Sequence, residues 1–151
     1  PAPAGRAPDA RGVRVSRTAP VTGAVWSPSG FGAGSDFGWF AAAAQITAPA
    51  LVAVAAASPL AATPSLTLVS SSGEPQTVVV SAGAGTGATT DVTVPGAGTA
   101  TITVRPGEVY RIDPGAGSVR AAVTYAGAGA VAGYPVAPSA SAAAAVTVYP
   151  R

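Results

Sequence analysis

The chain has no cysteine, no histidine, no methionine, no lysine and no asparagine, and only 9% of its residues are charged, where about a quarter is usual. Each absence removes a chemistry. Without His there is no imidazole base, which excludes Ser-His-Asp and Cys-His nucleophilic catalysis. Without Lys there is no Schiff base, no Ser-Lys dyad and no P-loop lysine. With neither Cys nor His, the usual nitrogen and sulfur ligands of zinc are missing. No disulfide can form, which suits a cytosol and many bacterial exported proteins alike. No N-glycosylation acceptor exists, because that motif begins with Asn. Six carboxylates remain for acid–base or hard-cation chemistry: Asp9, Asp36, Glu74, Asp91, Glu108 and Asp113. Nothing in their spacing makes two of them converge, so the expectation is a protein that is not an enzyme and carries no cofactor and no metal.

What is present points to a globular β domain. Of 151 residues, 48% are hydrophobic, 19 are Gly and 15 are Pro, which excludes the highly charged kind of disorder. A chain of this length makes one domain with a core of its own. All eight basic residues are Arg and only three are Ile, the pattern of GC-rich coding and hence of an actinobacterial source. The net charge of +2 is unevenly placed. Arg6, Arg11, Arg14 and Arg17 fall in the first 20 residues against Asp9 alone, whereas residues 21–151 hold four Arg and five acids. Residues 1–20, rich in Pro, Ala and Arg, read as an extended arm or linker. No apolar stretch follows these charges, so the segment does not read as a signal peptide. A start at Pro1 reads as a processed product or a piece of a longer chain. The arm is either a solvated tether or a binder of phosphate and lipid headgroups, for which Arg is well shaped.

Residues 21–151 form the expected β-sandwich domain. Both Trp and all three Phe lie between 26 and 40, interrupted by Gly and Ser, which predicts a loop with one short strand near Val25-Trp26. Residues 41–62 are apolar, but Pro49, Pro59 and Gln45 argue against a membrane span, and the alternation at 51–54 predicts a buried strand. Short Val- and Thr-rich runs then recur at roughly ten-residue intervals between Gly, Pro and Ser turns. They are SLTLVSS, QTVVVSA, TDVTVPG, TATITVRP, EVYRIDP and SVRAAVTYA, with a last candidate AVTVYP at 145–150. The expected fold is all-β, an Ig-like antiparallel sandwich of roughly seven to nine strands. The AAAA stretches at 41 and 142 are candidates for a helical turn each.

Two motif matches are coincidences. Gly83, Gly85 and Ala88 match a dinucleotide-binding pattern, but β-rich sequence broken by Pro95 follows where a helix is required. Asp36-Phe37-Gly38 spells a kinase magnesium motif in a chain without the kinase lysine. More weight attaches to the cluster Trp26, Phe31, Asp36, Phe37, Trp39 and Phe40. Such a cluster either plugs the end of the sandwich or serves as a surface for a protein partner or a sugar.

The stretches SLTLVSSSGEPQTVVV, DVTVPGAGTATITVRPGEVYRI and VRAAVTYAGAGAVAGYPVAP resemble a family of actinobacterial extracytoplasmic proteins of unknown function. The shared markers are the Leu66-Thr67-Leu68-Val69 strand, the Val94-Pro95-Gly96 turn and Gly133-Tyr134-Pro135, over about residues 20–151. Proteins of that family look like tandem β-sandwich halves behind an N-terminal signal or anchor, encoded near cell-envelope glycosyltransferases, and this chain would match a C-terminal half. The resemblance carries no catalytic residues. It implies a non-catalytic extracytoplasmic binding or scaffolding module of the cell envelope, accessory to a membrane protein such as a glycosyltransferase. A carbohydrate-binding module and a structural subunit of a virion or surface layer are the alternatives. The expected partner surface is the aromatic cluster together with Arg6, Arg11, Arg14 and Arg17. Protein is the first expected partner, then carbohydrate or lipid headgroup, and not nucleic acid.

Overall fold

The computed structural model describes Val13, Thr18 and residues 21–56, 63–127 and 129–139. Arg6, Arg11, Arg14, Arg17, the Ala-rich stretch at 142 and the strand expected at 145–150 lie outside the described residues.

Ten strands are described: β1 (Ala24–Pro28), β2 (Phe37–Ala41), β3 (Ala50–Ala53), β4 (Thr63–Val69), β5 (Gln76–Ala82), β6 (Thr89–Val94), β7 (Thr99–Thr103), β8 (Val109–Asp113), β9 (Arg120–Gly127) and β10 (Ala130–Pro135). No α-helix occurs among the described residues, and none is therefore long and apolar enough to cross a membrane. Eight strands make two four-stranded sheets, ordered β10-β9-β4-β7 and β3-β8-β5-β6; every pairing is antiparallel. The two sheets share one core, consistent with a β-sandwich. β1 and β2 stand apart as a separate two-stranded hairpin.

The sequence period explains the two layers. Along β4, Leu66 and Leu68 point inward, and Val78 and Val80 on β5 do the same from the other sheet. The alternate positions point away from the core, since successive side chains of a strand point to opposite faces; Thr77 there is exposed, whereas Thr67 and Ser81 are covered. Ile46, Leu66, Leu68, Ile112 and Val123 have no exposed surface. Among the described residues no aromatic ring is buried; Tyr110, Tyr125 and Tyr134 pack at the margin. At the core's edge the Tyr134 hydroxyl donates to the Ala53 carbonyl (2.6 Å), and the Tyr125 hydroxyl accepts the Ala55 N–H (2.7 Å). These two bonds tie the segment after β3 to the sheet of β9 and β10.

Expectation and structure differ in three places. The segment at 21–40 has two strands, not one, because FGWFA pairs with AVWSP over five residues despite its Gly. AVAGYP, which holds Gly and Pro, forms a six-residue ladder with β9, with its Pro at the strand's end. No helical turn starts at Ala41. That residue ends β2, and the residues after it bond to neighbours instead: the Ala42 N–H to the Gly23 carbonyl, the Ala43 carbonyl to the Arg120 guanidinium, and the Gln45 amide to Ser118. The Gly-rich match at 83–88 is a connection from β5 to β6 that holds a short 3-10 turn at Gly83–Gly85, with no α-helix after it among the described residues.

Candidate functional site

The β1–β2 hairpin is the most unusual surface of the molecule. A two-stranded ribbon is marginal alone in water, so something must hold it. Trp26 lies directly opposite Trp39, and Pro28 opposite Phe37. One face of the hairpin therefore carries Ala24, Trp26, Pro28, Phe37, Trp39 and Ala41, and the other carries Val25, Ser27, Gly38 and Phe40. The second face turns to β10. There the Phe40 ring lies over Gly133, where an added Cβ would stand 2.6 Å from its Cε1 and 2.8 Å from the Val123 carbonyl oxygen.

Polar contacts fix the hairpin at its loop end. Asp36 Oδ2 accepts the Val131 N–H at 3.0 Å, and the Asp36 N–H donates to Ser29 Oγ (2.9 Å) and to the Gly129 carbonyl (3.2 Å). The Ser29 hydroxyl also donates to that carbonyl. Asp36 thus occupies a backbone donor of an edge strand, a position that open sheets commonly protect.

The outward face, by contrast, is open. Trp26 is 48% exposed, Phe37 57%, Trp39 66%, and Phe31, in the loop between the strands, 95%. Trp26 and Phe37 stack at 6.4 Å between centroids with a 40° tilt, the diagonal contact expected on one face of a ribbon. Of the six cluster residues, the structure brings Trp26, Phe37 and Trp39 together on this face and leaves Phe31 beyond it. Phe40 and Asp36 hold the hairpin down from behind. Once FGWFA is a strand, the two-residue period of its side chains gives this split, placing Phe37 and Trp39 opposite in sense to Phe40. The cluster does not plug the sandwich, whose core is filled by aliphatic side chains.

Other candidates are engaged elsewhere. Glu108 accepts the Gly83 N–H at 3.0 Å, and Asp113 accepts from Arg111 (2.7 Å) and from the Gly115 N–H (2.9 Å). Asp91 and Asp113 flank Val79 on one outward face, about 9–10 Å apart by strand spacing. That face is open, and a broad depression, of about 510 Å³, lies on the other sheet between Thr63, Ser65, Thr101, Thr103 and Thr124. Its hydroxyls pair with each other, Ser65 with Thr124 at 3.0 Å and Thr67 with Thr101 at 3.2 Å. Among the described residues no three potential metal-ligating side chains gather. Burial of Tyr134, with the Tyr125 hydroxyl beside it, pushes its phenol up to about 12. It holds a backbone carbonyl and has a structural role. No protein-family model matches the chain, and no curated protein and no solved structure is significantly similar to it.

Proposed function

We propose that this domain is a non-catalytic, extracytoplasmic binding module of the bacterial cell envelope, Ig-like in its sandwich, accessory to a membrane protein such as a glycosyltransferase. It engages the envelope through the outward face of the β1–β2 hairpin. The observation that supports this most is the exposure of Trp26, Phe37 and Trp39 on a ribbon held in place by a separate set of contacts. Exposed rings of this size are costly to keep in water, and burying each one against a partner contributes about 1.5–3 kcal/mol. The envelope location rests on the family resemblance of residues 20–151. A sugar-stacking role has less support, because the 40° tilt of Trp26 against Phe37 gives no flat platform across these two rings.

The test is co-sedimentation of the full chain with native envelope membranes of an actinobacterium. Trp26→Ser with Trp39→Ser should weaken association by about 2 kcal/mol or more while the far-ultraviolet spectrum stays that of the wild type. Equal association by the double variant overturns the reading.

A further inference from the structure

The hairpin's outward face is peculiar in what it omits. Ala24, Trp26, Pro28, Phe37, Trp39 and Ala41 offer no charge and no hydrogen-bonding side-chain group except two indole N–H groups. A protein interface of normal anatomy surrounds its apolar centre with a polar rim; here the loop from Ser29 to Asp36 adds Gly, Ala, the bare ring of Phe31 and the Ser35 hydroxyl, while the Ser29 and Asp36 side chains are bonded to Gly129 and Val131. Asp36, the nearest carboxylate in sequence, bonds the Val131 N–H on the β10 side. Trp and Phe without directional partners suit the zone between lipid headgroups and acyl chains, where a ring is buried and an indole N–H stays wet.

Charge points the same way. Four Arg against one acid precede the hairpin, and the other 131 residues hold four Arg against five acids. Arg17 lies nine residues before Trp26 in the sequence. Apolar insertion and basic attraction are each weak alone, and durable attachment to a bilayer takes two such signals.

We propose that the outward face of the β1–β2 hairpin, with Phe31 foremost, inserts into the interface of an anionic lipid bilayer, to which the net basic charge of the sequence before the hairpin adds attraction. This rests on the hairpin being the binding surface. It names the occupant as lipid and makes the domain a peripheral membrane attachment.

Trp26 and Trp39 are the only indoles in the chain, so tryptophan emission reports this hairpin alone. The full chain is mixed with vesicles of phosphatidylcholine, with or without phosphatidylglycerol. The expected result is a blue-shifted emission and co-sedimentation with the anionic vesicles, lost as salt rises from about 0.1 M to about 1 M. Phe31→Ser and Trp39→Ser should each lower partitioning about tenfold. Emission unchanged by anionic vesicles, or partitioning indifferent to both substitutions, overturns the proposal. Association with native membranes that is absent from protein-free vesicles of their extracted lipids also overturns it, and assigns the same surface to a protein. That outcome leaves the hairpin's binding role standing; loss of both associations removes the two readings together.

Discussion

Gly133→Ala tests how the hairpin is held. The added methyl carbon would stand 2.6 Å from the Phe40 ring and 2.8 Å from the Val123 carbonyl oxygen. The carbonyl belongs to the β9–β10 ladder and cannot move far, so the methyl must displace the Phe40 ring from its seat on β10. Overpacking of this kind costs about 1–3 kcal/mol. Because the hairpin is marginal alone, that cost should fall on its docking and not on the core. Amide hydrogen exchange separates the two. The Ser29 N–H bonds the Asp36 carbonyl (2.8 Å), the Ala42 N–H the Gly23 carbonyl (3.2 Å) and the Val131 N–H the Asp36 carboxylate, so these amides report docking. The Ile46 N–H, bonded to the Val119 carbonyl at 2.7 Å, and the Val54 N–H, bonded to the Glu108 carbonyl at 2.8 Å, report the sandwich. Protection at the first set should fall about tenfold or more while the second set changes little. Adding Phe40→Ala removes the ring that the new methyl meets, so the two penalties should not sum. Equal loss at both sets of amides, or full additivity, refutes the reasoning.

A Cβ at Gly96 falls on the Gly73 carbonyl, so Gly96→Ala must push one backbone turn away from another; it should cost about 1–3 kcal/mol in urea unfolding, and a wild-type midpoint would contradict the close approach. Tyr134 is held as the neutral phenol, with its ionisation raised from the usual 10.0 to about 12. Its contribution to stability is therefore complete below pH 10 and is lost as pH rises from 10 towards 12; Tyr134→Phe should remove that share of the alkaline slope in urea midpoints, and an unaltered slope would tell against it.

Most of the sandwich was legible because its strands have two chemically different faces. In TDVTV and TATITV the alternation of Val or Ile with Thr fixes both the strand and the side that goes inward. β2 and β10 were hidden because neither alternates: FGWFA is apolar on both sides, and AVAGYP owes its pairing to β9 and not to its own propensity. The fate of the tryptophans was hidden for a different reason. Size alone favours burial of Trp26 and Trp39, yet two sheets packed face to face leave a layer about 10 Å thick. Val, Leu, Ile and Ala from six strands and the segments beside them already fill it. The role of Asp36 depended on Val131, 95 residues away, and no local pattern marks such a pair.

The contact between Asp36 and Val131 also sets how many neighbours the β10-β9-β4-β7 sheet can recruit. A sheet with two bare edges is divalent and can grow end to end, copy after copy, by adding strands at both sides. With the hairpin over β10, β7 is the bare edge of this sheet among the described residues, and strand addition there stops at a pair. Lifting the hairpin restores the second edge and turns a self-limiting unit into a chain-growing one. Variants that undock the hairpin therefore carry a solubility cost far larger than their loss of folding free energy, and one that rises with concentration.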